Sequence, residues 1–397
     1  MNFRKGLELS NIRIDEKELL QVVQDLVRIE SVNPELAGTG SGEYLVAGHI
    51  GNYLAKMGLD VRYQEIKPKR VNVIGVLKGR DEGKSLMLNG HTDTVGITRM
   101  DIEPLNPVFR DGKVYGRGSF DMKGGLGAMI IAVKSIVDAG VKLKGDVILA
   151  FVADEEYLSV GTEVLVREYP ADAAILCEPT NLKICIAHKG FAWIKVEVFG
   201  KAAHGSRPDR GINAIVKAGK FLARIEELGK DVLIQKKHPL LGSPSIHASL
   251  IKGGTELSTY PDYCLIELER RFIPGESVKM IEAEIQTLID DLSSQDEQFK
   301  AKCEVSFSRP PLEVARDHEI VSALTRAYSK TMNQAPDFIG VGGWMDSAIL
   351  AEAGIPSVII GPAGEGFHAA TEYVDFESVI TLTKILADTI IDFCGVS

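Results

Sequence analysis

Apolar positions follow two rhythms along this chain, and the change between them divides it. Leu19, Val22, Val23, Leu26 and Val27 recur at helical spacing behind Asp15 and Glu18, which resemble a capping pair, so residues 15–29 are predicted to form an amphipathic helix. A second helix is expected from Tyr44 to Met57, stopping at Gly58. Val71–Leu77 and Ser85–Asn89 are short apolar runs bounded by turn residues, the pattern of buried strands. A helix from Gly127 to Ala139 follows, then the strand Val147–Ala153, a helix over Val160–Glu168 and the strand Ala173–Cys177. Strands alternating with helices imply an α/β sheet covered on both faces.

From Ile184 the rhythm changes. Ile194, Val196 and Val198 alternate with Lys195 and Glu197, as in a half-exposed strand, and a helix is expected from Gly211 to Leu228. Runs at Ser245–Ile251 and Tyr263–Phe272, a helix over Val278–Leu292 and a strand at Cys303–Phe307 complete the order strand–helix–strand–strand–helix–strand, that of a split βαβ unit. After Arg309-Pro310-Pro311 the first rhythm returns, with a helix over 317–331, the strand Ser357–Ile360 and a helix from Glu377 to Phe393. The simplest architecture is one α/β domain, residues 1–185 and 309–397, interrupted by an inserted α+β (ferredoxin-like) domain, residues 186–308.

Composition narrows the function. The 397 residues are 45% hydrophobic and 25% charged, as in an ordinary globular protein. A net charge of −10 works against partners held by phosphate neutralisation, so no nucleic acid is expected. No apolar run approaches the ~20 residues of a membrane helix, and the opening MNFRKGLELSNIRIDEKE lacks an apolar leader core, so no membrane partner and a cytoplasmic location are expected. Five scattered cysteines without a C-x-x-C pair fit small buried hydrophobes better than a disulfide framework or zinc ribbon.

Two stretches imitate phosphate-binding loops. Gly79-Arg-Asp-Glu-Gly83-Lys84-Ser85 has three residues between its glycines where a P-loop has four, and a hairpin turn is expected there. In Gly116-Arg-Gly118-Ser-Phe-Asp121 an aspartate replaces the third glycine of a dinucleotide fingerprint and would repel a pyrophosphate.

The informative residues sit where predicted strands end, where open α/β sheets build their sites. Ser85–Asn89 runs into His91-Thr92-Asp93, whose two-residue spacing lets Asp93 hold the His91 ring while the other ring nitrogen faces a metal. Asp121 follows in a glycine-rich turn, where helix capping is its ordinary alternative. Val147–Ala153 ends in Asp154-Glu155-Glu156, three carboxylates that repel one another unless a cation lies between them. Ala173–Cys177 ends in Glu178, and His368 lies in the glycine-rich loop after Ser357–Ile360. Two imidazoles and three carboxylates without a thiolate suit a pair of zinc-like ions about 3.5–4 Å apart.

These strings, His91-Thr-Asp93, Gly116-Arg-Gly118-x-x-Asp121-x-Lys-Gly-Gly, Asp154-Glu155-Glu156, Cys177-Glu178-Pro179 and His368-Ala, resemble those of the zinc-dependent amidohydrolases that include acetylornithine deacetylase, succinyl-diaminopimelate desuccinylase, aminoacylase and glutamate carboxypeptidase. The resemblance covers nearly the whole chain. It implies a two-domain di-metal hydrolase: a catalytic domain with a mostly parallel sheet, and an inserted lid through which the protein forms a homodimer. Asp121 would bridge two divalent ions, zinc or alternatively cobalt; His91 and Glu178 would complete one site, and Glu156 and His368 the other. Asp93 would orient His91, and Glu155 would be the general base. In the insert, Phe199-Gly-Lys-Ala-Ala-His204 resembles the lid motif whose histidine reaches the partner's active site, and Asn213, Ser258 and Arg271 fall at positions expected to meet substrate. Glutamate at 178 goes with deacylases and carboxypeptidases, so the resemblance implies hydrolysis of a small N-acyl amino acid, the alternative being a dipeptidase or carboxypeptidase. Ser258 stands where many members have asparagine, and Ala348 where typical desuccinylases and acetylornithine deacetylases have arginine, which speaks against those two substrates.

Overall fold

The computed structural model describes residues 12–397; the first eleven, which include most of the opening stretch weighed as a leader, lie outside the described residues. The chain forms two compact units: one up to Ile186 with Val314–Ile339 and Met345–Ser397, the other Ala187–Glu313 with Gly340–Trp344.

In the first unit, four parallel strands make the middle of the main sheet, in the order Val147–Val152, Leu86–His91, Ala173–Leu176, Ser357–Ile359. All are buried along their length, which is why each reads as an unbroken apolar run. Arg70–Leu77 and then Asp60–Lys67 extend one side antiparallel, and Ile184–His188 extends the other. Helices Gly124–Asp138 and Phe376–Cys394 pack on each other, and Glu16–Arg28 packs on the former. The parallel register sends all four central strands out at one sheet edge, and the segments after them carry His91, Asp154–Glu156, Glu178 and the loop to His368. A small antiparallel sheet, in which Gly364–Glu365 pairs with Tyr373–Asp375, holds the base of that last loop.

The second unit is a four-stranded antiparallel sheet, ordered Ser245–Gly253, Tyr263–Phe272, Gly190–Phe199, Lys300–Arg309. Ile194, Val196 and Val198 bury their side chains against Phe221 and Ile225 of the helix Ala214–Glu227 and Ile281, Ile285 and Ile289 of the helix Val278–Gln295. The alternation seen in the sequence is this division between a helix-covered and an open face.

Two local expectations change. Gly79–Ser85 is not a hairpin turn, because Val147–Val152 lies between the strands it joins. The loop crosses Lys144-Gly145 instead, with Arg80 N–H donating to Leu143 O at 2.9 Å, and a Cβ on Gly83 would lie 2.3 Å from Gly145 N. The helix expected from Gly127 starts at Gly124, because its glycines allow close packing and do not mark a turn. Asp15 does cap the first helix, accepting from Lys17 N and Glu18 N at 3.0 Å, while the Glu18 carboxylate takes the Tyr53 hydroxyl at 2.6 Å.

Gly125 shows how tightly the site's elements are packed. A Cβ there would lie 2.3 Å from the carbonyl oxygen of Cys177, the residue before Glu178. Alanine gains ~1 kcal/mol in helix propensity, yet overpacking costs about 1–3 kcal/mol. Gly125→Ala is expected to lower the urea midpoint at unchanged slope; a raised midpoint would show that the contact relaxes freely.

Candidate metal centre

His91 ends a buried strand, and its ring is held from one side. Nδ1 faces the Asp93 carbonyl oxygen at 3.0 Å and the nearer carboxylate oxygen at 3.6 Å. The two-residue spacing therefore works mainly through the main chain, with the Asp93 carboxylate behind it. A hydrogen on Nδ1 leaves Nε2 directed at Asp121 Oδ1, 3.1 Å away, and Glu178 Oε1, 3.6 Å away.

Asp121 lies between the two imidazoles. Its second oxygen is 3.4 Å from His368 Nε2, which also meets Glu156 Oε2 at 3.0 Å. Two groups result, His91–Asp121–Glu178 and Asp121–Glu156–His368, each with one donor atom per residue and all such atoms within 4.8 Å of one another. Asp121 belongs to both, and it caps no helix: the Gly124–Asp138 helix has Lys123 at its cap position. His91 and Glu178 are buried, whereas the His368 side chain is half-exposed.

The electrostatics show a shortage of positive charge. Burial pushes the Glu155 carboxyl well above its usual range, with Glu178, Asp346 and Glu156 adding to the rise against His91. Burial likewise takes Glu178 up to about 8, opposed by His91 and reinforced by Asp121. Asp121 keeps its charge despite burial, because His368 and His91 bond to it from both sides. Those bonds, with Glu156, take His368 up to about 10. Glutamates drawn towards protonation beside imidazoles that hold protons form a cluster whose charges a cation between them would balance. Two nitrogen and three oxygen donors, one carboxylate shared, fit a pair of divalent ions.

Not every acid here lacks a partner. Asp154, the first of the acidic triplet, points elsewhere and pairs with Arg70 Nη2 at 2.7 Å, so only Glu155 and Glu156 of the triplet face the centre. Glu372, absent from the expected site, is fully buried and organises it. Its carboxylate accepts from Arg117 Nη1 at 2.7 Å and from the backbone N–H groups of Gly118, Phe120 and Asp121 at 3.0–3.1 Å. It thereby ties the turn presenting Asp121 to the segment four residues beyond His368. Arg117 was visible inside the singled-out Gly116-Arg-Gly118; nothing in the local spacing marks Glu372.

The remaining expected residues belong to the second unit. His204 is exposed, and its Nδ1 accepts from Ser206 N at 3.2 Å. Ser258 O accepts from Gly205 N at 2.6 Å, on the same loop pair. Asn213 caps the helix Ala214–Glu227 by accepting from Val216 N at 3.1 Å. Arg271 pairs with Glu269 at 2.6 Å and lies over the Phe191 ring.

Comparison with known proteins agrees with this geometry. The model of Peptidase family M20/M25/M40 matches residues 87–392. The N-formyl-4-amino-5-aminomethyl-2-methylpyrimidine deformylase of Bacillus subtilis (strain 168) is 30% identical over 96% of this chain and 95% of its own length. The acetylornithine deacetylase of Myxococcus xanthus is 30% identical over 82% and 85%. Among solved structures, aminopeptidase PepT from Bacillus cereus superposes with a TM-score of 0.79 at 19% identity, covering 96% of this chain and 99% of that one. The Bacillus subtilis YXEP protein, described as a dinuclear metal binding peptidase, superposes at 0.73 and 16% identity, covering 95% and 97%. The chain belongs to Peptidase family M20/M25/M40, and it is a metal-dependent hydrolase of amide bonds.

Proposed function

We propose that the protein is a di-zinc deacylase that removes a short acyl group from the amine of a small N-acyl amino acid or similar amine. The observation that carries this reading is the shared Asp121, one oxygen facing each imidazole. His91, Asp121 and Glu178 would hold one ion, and Asp121, Glu156 and His368 the other. When bound, such a pair lowers the pKa of a water towards ~7 and polarises the amide carbonyl. Glu155 is the base: it neighbours the Glu156 ligand and belongs to neither donor group, so its carboxylate is left to take a proton from water and pass it to the departing amine.

Deacylation is favoured over peptide cleavage by the two 30%-identical relatives, whose names specify removal of formyl and acetyl groups. The peptidase likenesses are of fold alone. His204 is read as an oxyanion donor: its Nδ1 faces Ser206 N and Oγ, which leaves Nε2 as the ring nitrogen that would meet the substrate. In this reading that donor serves a second copy in a homodimer formed through the inserted unit. Five cysteines, none of them in a disulfide, support a cytoplasmic setting, and among the described residues no helix is long and apolar enough to cross a membrane.

Three outcomes test this. With zinc restored, N-formyl and N-acetyl amines are expected to be hydrolysed in preference to dipeptides in a kcat/KM panel; the reverse order would make the enzyme a dipeptidase. Glu155→Ala is expected to retain two ions by elemental analysis while kcat falls about 10²–10⁴-fold, and near-normal turnover would remove Glu155 from the mechanism. The third concerns protons. His368 is raised from 6.5 to about 10, so its proton stabilises the metal-free fold fully below pH 6.5, and that contribution is lost as pH rises through about 10. A metal needs the neutral ring, so zinc uptake at pH 7.5 is expected to expel protons, read as calorimetric heats that vary with buffer ionisation enthalpy. Buffer-independent heats would contradict the ligand set.

A further inference from the structure

Beside the centre lies a second buried polar group, which meets it at Asp93. Glu43, Asp93 and Asp154 are three buried carboxylates with one guanidinium, Arg70, and one amide, Asn33, between them. Arg70 serves only two of the three: Nε and Nη2 reach Glu43 at 2.7 and 2.8 Å, and Nη2 reaches Asp154 Oδ1 at 2.7 Å. The link to Asp93 is Asn33. Its Nδ2 donates to Asp93 Oδ2 at 2.8 Å and to Asp154 Oδ1 at 3.0 Å. Its Oδ1 accepts from Glu35 N and Leu36 N at 3.1 and 3.2 Å.

Both amide hydrogens and the carbonyl are thus engaged, and reversing the amide would turn its oxygen against two carboxylates. The backbone is fastened as well. Asn33 N–H donates to Thr94 O at 2.9 Å and Thr94 N–H to Ser31 O at 3.0 Å, so residues 31–33 run beside the segment that carries His91 and Asp93. Asp93 in turn accepts from Glu155 N at 3.2 Å and Glu156 N at 3.3 Å. Asn33 therefore joins the ends of two strands, one presenting His91 and the other Glu155 and Glu156.

We propose that Asn33 is a positioning residue of the metal centre: its amide, by holding Asp93 against Asp154, fixes the His91 imidazole and the backbone that presents Glu155 and Glu156. This rests on the ligand assignment made under the proposed function.

Two substitutions separate positioning from helix capping. Asn33→Asp keeps the shape and the capping oxygen but loses both donors and sets a carboxylate against two others; Asn33→Ser keeps a capping oxygen and adds no charge. Aspartate, serine and asparagine cap about equally well. A capping role alone therefore predicts near-normal behaviour for both. Positioning predicts the order wild type, serine, aspartate, with zinc affinity of the metal-free protein and kcat falling roughly 10–100-fold in Asn33→Asp while KM stays within about threefold.

Calorimetric zinc titration supplies the readout independent of turnover. Zinc affinity and kcat within about twofold of wild type in both variants, against the usual 10–100-fold outer-shell effect, would overturn the proposal. If Asn33→Asp does not yield folded protein, Asn33→Ser decides by the same criterion. A wild-type protein that binds fewer than two zinc ions per chain would overturn the metal reading itself, and this inference with it.

Discussion

The structure depends on a charge imbalance confined to one edge of a sheet. Asp121, Glu155, Glu156 and Glu178 converge within the first unit, where the positive groups facing them are two imidazoles. Elsewhere in the same unit each buried acid has a fixed donor: Glu43 and Asp154 have Arg70, Asp93 has Asn33 and backbone N–H groups, Glu372 has Arg117 and three backbone N–H groups, and Asp346 has the Thr162 hydroxyl. The contrast separates acids that build the scaffold from acids whose oxygens are gathered as cation donors. It also refines the meaning of the −10 net charge, because Asp93 and these four acids are five of the 55 and lie at one site.

The rest of the fold supplies alignment. Parallel strands pair residue by residue, Leu86 with Val147 and Ala173 and Ser357 with Ala174, so their carboxyl ends fall within two residues of one another and the side chains beyond them meet. The Glu372 carboxylate fixes the turn that presents Asp121, and the Asp93 carboxylate fixes the backbone of Glu155 and Glu156. Buried carboxylates held by backbone N–H groups act here as rigid connectors between segments distant in sequence.

What the sequence disclosed and what it hid have the same cause. Apolar runs ending in His91, Asp154–Glu156 and Glu178 were legible because a strand buried on both faces must be apolar throughout, so polar residues at its end stand out. The polar strand Asp60–Lys67, with Gln64 its one buried residue, gave no such contrast. Asn33, Arg70 and Glu372 were hidden because each acts through partners far along the chain, 60 and 121 positions away for Asn33, 27 and 84 for Arg70 and 251–255 for Glu372. Gly79–Ser85 was misread for the related reason that neighbours in sequence, Arg70–Leu77 and Leu86–His91, are separated in the sheet by a strand from much later.

The central claim is that Asp121 lies between two ions. Diffraction from crystals equilibrated with zinc, recorded on both sides of the zinc absorption edge, tests it directly. Two anomalous peaks about 3.5–4 Å apart are expected, each within bonding distance of one Asp121 oxygen. A single peak, or two that do not share Asp121, would contradict it.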